Sequence, residues 1–296
     1  MSKHPANPTT EKFADVEERS VDSDRYTEGH GDLQIIPTGS TDSNLKLAKD
    51  GRTVLIPQPS DNPDDPLNWS FAKKHIVLAS MVFAALLTDF GMTYGTVLFQ
   101  AQAPSFGISI PATAKSITGP LFLQGVGGIF AVPLIQRIGR LPVLFYSQFI
   151  CAFMVLGAAL SPNYATFTAF RCLQGFFNTA QQVVGLGFVF CFHERVKRIN
   201  IWVFCLLGGP FFGPFVAAWL ITEVDWRTDF GILAALHGFS TLLVVFLGDE
   251  TLYDRKNPQP RERGLWGRFT RLTGIAGLKA QGRPGVMTVL RDLISI

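Results

Sequence analysis

The sequence predicts an all-α membrane protein with six transmembrane helices, and three observations carry this prediction. Hydrophobic residues make up 47% of the 296 residues, whereas charged residues make up only 17%, against about 25% in a typical soluble domain. The charges are concentrated near the two ends of the chain, so the middle is nearly uncharged. That middle contains six apolar runs, each about as long as a helix that crosses a bilayer.

The predicted spans follow one another through short connections. They cover about residues 76–98, 116–135, 141–160, 165–192, 200–221 and 228–247. Residues 1–68 are polar with few aromatic side chains, which predicts a disordered cytoplasmic tail. The transmembrane domain then covers residues 69–253, and residues 254–296 form a basic segment that we also expect in the cytoplasm.

The orientation prediction comes from the short loops. If the N-terminus is cytoplasmic, seven basic residues flank the spans on that side and two lie on the other. The seven are Lys73, Lys74, Arg137, Arg140, Arg195, Lys197 and Arg198, and the two are Lys115 and Arg227. The positive-inside rule therefore predicts a multi-pass membrane protein with both termini in the cytoplasm. We expect the plasma membrane rather than an internal membrane.

The sequence does not indicate an enzyme. It contains no Gly-rich phosphate loop followed by Lys-Ser or Lys-Thr, no metal-ligand spacing and no nucleophile motif. The four cysteines all fall in apolar runs, so we interpret them as small core residues. We therefore predict no enzyme activity, no cofactor and no metal. Membrane-facing loops explain the basic C-terminal end, so the expected partner is the lipid bilayer and not nucleic acid.

Short motifs occur in and between the spans. The loop before span three has the basic turn Arg137, Gly139 and Arg140, with Gln136 preceding it. Span four has the pattern R-x-x-Q-G, which ends at Gly175. Span five has the Gly-Pro cluster Gly209, Pro210, Gly213 and Pro214. Residues 61–70 lead into span one, Trp226-Arg227 follows span five, and the sequence DETLY follows span six.

In this order, the motifs resemble those of the major facilitator superfamily and, within it, the fungal drug:proton antiporter branch. The resemblance covers about residues 61–291 and implies the N-terminal half of a twelve-helix fold, built as a 3+3 inverted repeat. It further implies a secondary transporter that expels a small organic compound, such as a drug, toxin or secondary metabolite, in exchange for protons. The alternative is a truncated half that does not transport and is inactive or regulatory, with a second half or a self-associated copy as its partner.

Two opposite charges lie at similar predicted depth. Asp89 in span one and Arg171 in span four each lie roughly 20 Å from the cytoplasmic edge, counting 1.5 Å per helical residue. A charge inside a span is costly and therefore a functional candidate. The hypothesis is that Asp89 couples transport to protons, holding its proton when Arg171 is distant and releasing it when Arg171 is near. A purely structural pair is the alternative.

Further polar residues in the spans have two readings each. Gln174, Asn178 and Gln181 form a polar stripe on one face of span four, either lining a substrate cavity or making hydrogen bonds between helices. His237 in span six could relay protons or be a buried structural histidine. The Gly-Pro cluster of span five allows close packing between helices, and we expect the same span to contribute to gating.

Overall fold

The computed structural model describes residues 60–189, 195–253, 264–279, 285, 287–289 and 291. Across these ranges it contains helices and no strand, in agreement with the predicted all-α fold. The longer helices are α1 (Phe71–Thr93), α2 (Phe99–Phe106), α3 (Ile110–Ile138), α4 (Arg140–Ala159), α5 (Tyr164–Val189), α6 (Arg195–Leu220) and α7 (Trp226–Leu247). Two short helices follow, α8 (Gly264–Leu272) and α9 (Ile275–Lys279).

Each predicted span corresponds to one long helix, but α5 differs from the others in composition. In the described ranges, five helices are long and apolar enough to cross a membrane, and α5 is not among them. Its inward side chains, including Arg171 and Gln174, lower its hydropathy. Its 26 residues nevertheless match the length of a span, and it packs against α3, α4 and α1.

The helices extend beyond the apolar runs that predicted them. The α1 helix begins at Phe71, because the Ser70 hydroxyl accepts a hydrogen bond from the Lys73 amide (3.3 Å) and caps its first turn. After Thr93 the chain tightens into a 3₁₀ turn, Tyr94–Val97. The short helix α2 then occupies a stretch that the sequence indicated as a connection.

The bundle has two apolar cores. The lower core surrounds Met81, Leu144 and Val184, and the upper core surrounds Tyr94, Phe167 and Phe230. Here the lower end of the bundle means the end that carries Lys73, Gly139 and Asp249. Pairs of helices build the bundle, since α1 packs on α6, α3 on α5, and α4 on both α5 and α7.

Structure begins earlier than the predicted boundary at residue 68. Asp65 is fully buried, and its carboxylate accepts hydrogen bonds from the amides of Ser60 (3.1 Å) and Leu67 (2.9 Å). These bonds order residues 60–68 and start a 3₁₀ turn at Pro66. The prediction of a disordered tail up to residue 68 is therefore wrong for residues 60–68, and residues 1–59 lie outside the described part.

The segment after α7 folds back on the lower end of the bundle. Asp249 forms ion pairs with Lys73 at the start of α1 (2.7 Å) and with Arg271 of α8 (3.3 Å). Arg268 donates hydrogen bonds to the carbonyls of Val245 (2.9 Å) and Phe246. These are C-terminal carbonyls of α7 that have no intrahelical partner, so a cation there stabilises the helix end.

Candidate functional site

Asp89 lies on a partly exposed face of α1 and has neutral partners. Its carboxylate accepts a hydrogen bond from the amide nitrogen of Gln124 on α3 (3.1 Å). The Gln182 side chain of α5 also lies beside it. Among the described residues no basic side chain pairs with Asp89. The site is therefore a carboxylate flanked by two amides in the middle of a membrane span.

Arg171 is directed elsewhere, into the interior of the bundle. Its side chain is 1% exposed, and its guanidinium donates to the backbone carbonyls of Gly91 (2.8 Å) and Met92 (2.6 Å). It also donates to the side-chain oxygen of Gln174, one turn along α5 (2.7 Å). The two carbonyls belong to the last turn of α1, just before the chain changes into the 3₁₀ turn. Arg171 thus caps the C-terminal end of α1, where the helix dipole favours a cation.

The predicted ion pair between Asp89 and Arg171 does not form in this structure. Arg171 binds carbonyls two and three residues beyond Asp89, roughly 3–5 Å further along the axis, so the two residues lie at similar depth. They face different directions, because Gly91 lies about 200° around the helix from Asp89 at 3.6 residues per turn. Asp89 faces α3 and Gln124, whereas Arg171 approaches α1 from another side.

The polar stripe of α5 makes contacts between helices. Gln174, Asn178 and Gln181 are all fully buried. Asn178 donates to the Thr88 carbonyl of α1 (2.8 Å), and the Thr88 hydroxyl donates to the Gln181 side-chain oxygen (3.1 Å). The structure therefore supports the interhelical reading of this stripe, and the more exposed Gln182 takes the position beside Asp89.

His237 joins the interior network from α7. It is fully buried, and no hydrogen bond reaches either ring nitrogen among the described residues. A Cβ added to Gly91 would lie 3.0 Å from the Gln174 amide nitrogen and 3.1 Å from His237 Nε2. The missing side chain of Gly91 thus lets these two groups approach each other over α1. His237 lies with Gln174 and Arg171, and not with Asp89.

The Gly-Pro cluster of α6 brings that helix against α1. A Cβ on Gly209 would stand 2.8 Å from the Leu86 carbonyl oxygen, and one on Gly213 would collide with the Phe90 carbonyl. Pro210 contributes its carbonyl oxygen, which accepts a hydrogen bond from the Thr93 hydroxyl (3.4 Å). Pro210 and Pro214 both lie inside a continuous helix. In this structure the two glycines therefore allow close packing of α6 on α1, and a gating role stays a prediction.

The basic turn before α4 is completed by a carboxylate that motif reasoning did not assign. Gly139 has φ +124°, a conformation that favours glycine. Gly139, at the N-cap position of α4, has no side chain of its own to cap the helix. Instead Glu250 accepts hydrogen bonds from the amides of Arg140 and Leu141 (both 3.1 Å) and also from those of Thr251 and Leu252. Arg140 further donates to the Thr251 hydroxyl (3.4 Å).

A second buried carboxylate was also missed. Asp229 is fully buried near the start of α7, and it accepts a short hydrogen bond from the Tyr94 hydroxyl. An acid so close to the start of a predicted span was the signal available in the sequence. The same described ranges contain no cluster of three or more metal-ligating side chains.

The family of the chain follows from comparison with known proteins. The family model described as Major Facilitator Superfamily matches residues 81–293. This chain belongs to the Major Facilitator Superfamily. Its proteins are membrane transporters, so the predictions of a multi-pass membrane protein and of no enzyme agree with the family.

Two curated relatives in the superfamily come from fungi. A cycloheximide resistance protein of Candida maltosa is 25% identical over 250 residues, which cover 81% of this chain and 44% of the relative. A trichosetin biosynthesis cluster transporter of Gibberella fujikuroi is 28% identical over 229 residues, covering 73% of this chain and 47% of the relative. The chain thus spans less than half the length of these relatives.

A solved structure has a similar fold. The proton:xylose symporter XylE is 14% identical, has a TM-score of 0.54, and is matched over 77% of this chain and 53% of its own. At this identity the likeness concerns the fold alone. It agrees with the bundle of long helices described above.

Proposed function

We propose that the complete protein carrying this chain is a proton-coupled transporter that expels a small organic compound from the cell. Asp89 is the proton-binding group, and a substrate site lies on the same side of α1. The observation that carries the proposal is the setting of Asp89: a partly exposed carboxylate, inside a span, between the side chains of Gln124 and Gln182.

Amide partners suit a carboxylate that gains and loses a proton. The NH₂ group of an amide donates to the ionised carboxylate, and its oxygen accepts from the protonated acid after rotation of the amide. Gln124 and Gln182 therefore offer a hydrogen bond to both states of Asp89. An ion pair would favour only the ionised state.

Arg171 has a supporting role in this proposal. Because it caps the end of α1, it fixes the 3₁₀ turn at Tyr94 and keeps a positive charge near the depth of Asp89. A change in the end of α1 during transport would alter the distance between the two charges. The electrostatic coupling proposed for Asp89 and Arg171 then acts through the shape of α1.

The proposed substrate class comes from the relatives. One relative is named for cycloheximide resistance, and another belongs to a trichosetin biosynthesis cluster. A drug or secondary metabolite is therefore the proposed substrate, and the plasma membrane is the proposed location.

Proteoliposomes containing the complete protein and an internal pH-sensitive dye would test the proposal, with cycloheximide as the probe compound. We expect the probe to cross against a proton flow in the parent protein. Asp89→Asn should abolish both proton flow and uphill transport but retain exchange of labelled for unlabelled probe. Glu223→Gln is the control, since Glu223 is an exposed acid between α6 and α7.

Two results would contradict the proposal. One is uphill transport by the Asp89→Asn protein at the parent rate, which would remove Asp89 from coupling. The other is transport by the parent without any proton movement. The alternative of a half-protein without transport predicts neither probe movement nor exchange.

A further inference from the structure

An apolar groove of about 280 Å³ opens on the outside of the bundle between α3, α4 and α5. Its walls include Phe130, Leu134, Tyr146, Ile150 and Phe176, and only Tyr146 and Ser147 bring polar side-chain atoms to it. We propose that this groove binds one acyl chain of an anionic phospholipid, with the headgroup at the lower end of the bundle.

The length of the groove fits one leaflet of the bilayer. Along α3 it runs from Gly127 to Ile138, which is roughly 16 Å at 1.5 Å per residue. The hydrocarbon core of a bilayer is about 30 Å thick. The groove is therefore about half as long as the core is thick, which matches the length of an acyl chain in one leaflet.

The groove is continuous with the surface that faces lipid. Phe130 is 52% exposed, and Phe149, next to the groove on α4, is 44% exposed. Apolar cavities do not hold water, and an apolar groove that opens toward the bilayer is accessible to lipid chains. The Phe130 and Phe176 rings, 5.9 Å apart, join the α3 and α5 walls.

A helix that ends in a basic residue packs near the lower end of the groove. There the turn between α8 and α9 contacts the groove wall: Gly274 lies against Ile138, and the Tyr146 hydroxyl donates to the Thr273 carbonyl (3.4 Å). The α9 helix then packs on α3 and ends at the exposed Lys279. A basic group close to an interhelical groove favours anionic headgroups.

Photo-crosslinking of the full chain in phosphatidylcholine vesicles would test this site. The probe is a phosphatidylglycerol with a diazirine on one acyl chain, and mass spectrometry would map the modified residues. We expect labels on Phe130, Leu134 and Tyr146, at several times the yield obtained with the matching phosphatidylcholine probe. Unlabelled phosphatidylglycerol should compete.

Variants separate the acyl site from general contact with lipid. Ile150→Trp fills the groove and should lower labelling at Leu134 about fivefold or more, and Ser147→Leu should act in the same direction. Leu156→Trp, a control on an exposed position of α4 (41% exposed), should leave labelling unchanged. Lys279→Gln should bring the yields of the two probes closer together without abolishing labelling.

Two outcomes would overturn the assignment. Equal labelling of all outward-facing helices, insensitive to Ile150→Trp and Ser147→Leu, would mean ordinary boundary lipid. Equal labelling by the two probes in the parent would remove the selectivity for anionic headgroups. The experiment needs no transport, so its result is independent of the function proposed above.

Discussion

The two 26-residue helices α5 and α6 pack against α1 in opposite ways. The α5 helix turns its polar side chains inward, where Arg171, Gln174 and Asn178 are at most 1% exposed. The α6 helix turns large apolar side chains outward, with Phe211 78% exposed and Phe215 73% exposed. In a bilayer, apolar surface is at no disadvantage outside, whereas polar groups need partners inside.

The difference also concerns how each helix contacts α1. The α5 helix is joined to α1 by hydrogen bonds, to the carbonyls of Thr88, Gly91 and Met92. The α6 helix is joined to α1 by close contact of small residues, at Gly209 and Gly213. The α1 helix is thus held by polar pairing on one side and by close packing on the other, and three experiments separate these two modes of contact.

Arg171→Leu should have the largest effect, because it leaves the buried carbonyls of Gly91 and Met92 without donors. At about 1–3 kcal/mol for each unsatisfied group, the loss of unfolding free energy should be about 2–6 kcal/mol. Unfolding in mixed SDS micelles, followed by circular dichroism, would measure it. Arg171→Lys retains the charge and should lose less. A Leu variant as stable as the parent would show that Arg171 does not hold the end of α1.

Gly213→Leu should have the next largest effect, because its side chain would meet the Phe90 backbone. Overpacking of this kind costs about 1–3 kcal/mol, and the same unfolding assay would detect it. Phe211→Ala on the exposed face of α6 is the matched control and should change stability by less than about 0.5 kcal/mol. If Phe211→Ala lowered the unfolding free energy more than Gly213→Leu does, close packing of small residues would not explain the contact of α6 with α1.

Removal of the hydrogen bond from Thr88 to Gln181 should have the smallest effect on the unfolding free energy. A double-mutant cycle of Thr88→Val and Gln181→Leu should give a coupling of about 0.6 kcal/mol, the average for interhelical hydrogen bonds in membranes. A cycle of Thr88→Val with Phe204→Ala, an outward residue of α6, should give no coupling. Equal coupling in both cycles would contradict the contrast between the two helices.

The sequence predicted the helices well because their signal is local. Apolar runs and the cost of a lone charge identified six spans and selected Arg171. The partner of Arg171 was not predictable in the same way, since counting residues gives the depth of a side chain and not its direction around the helix. Asp89 and the Gly91 carbonyl differ little in depth, yet they face different neighbours.

Other features depend on contacts between distant parts of the chain. Glu250 caps a helix that begins about 110 residues earlier, and no local pattern specifies which amides an acid will meet. The short helix α2 was missed because Pro104 and the polar Gln100 and Gln102 interrupt its apolar pattern. The predicted helices were too short where polar residues such as Ser70 extend a helix past the membrane core.

Asp249 and Glu250 are consecutive in the chain but serve different helices. Asp249 connects α1 to α8, and Glu250 caps α4. Both residues follow directly after the end of α7 at Leu247 and the extended residue Gly248. Contacts to four helices thus converge on one dipeptide. They oppose the sliding of one helix past another, so we expect the lower ends of these four helices to move together.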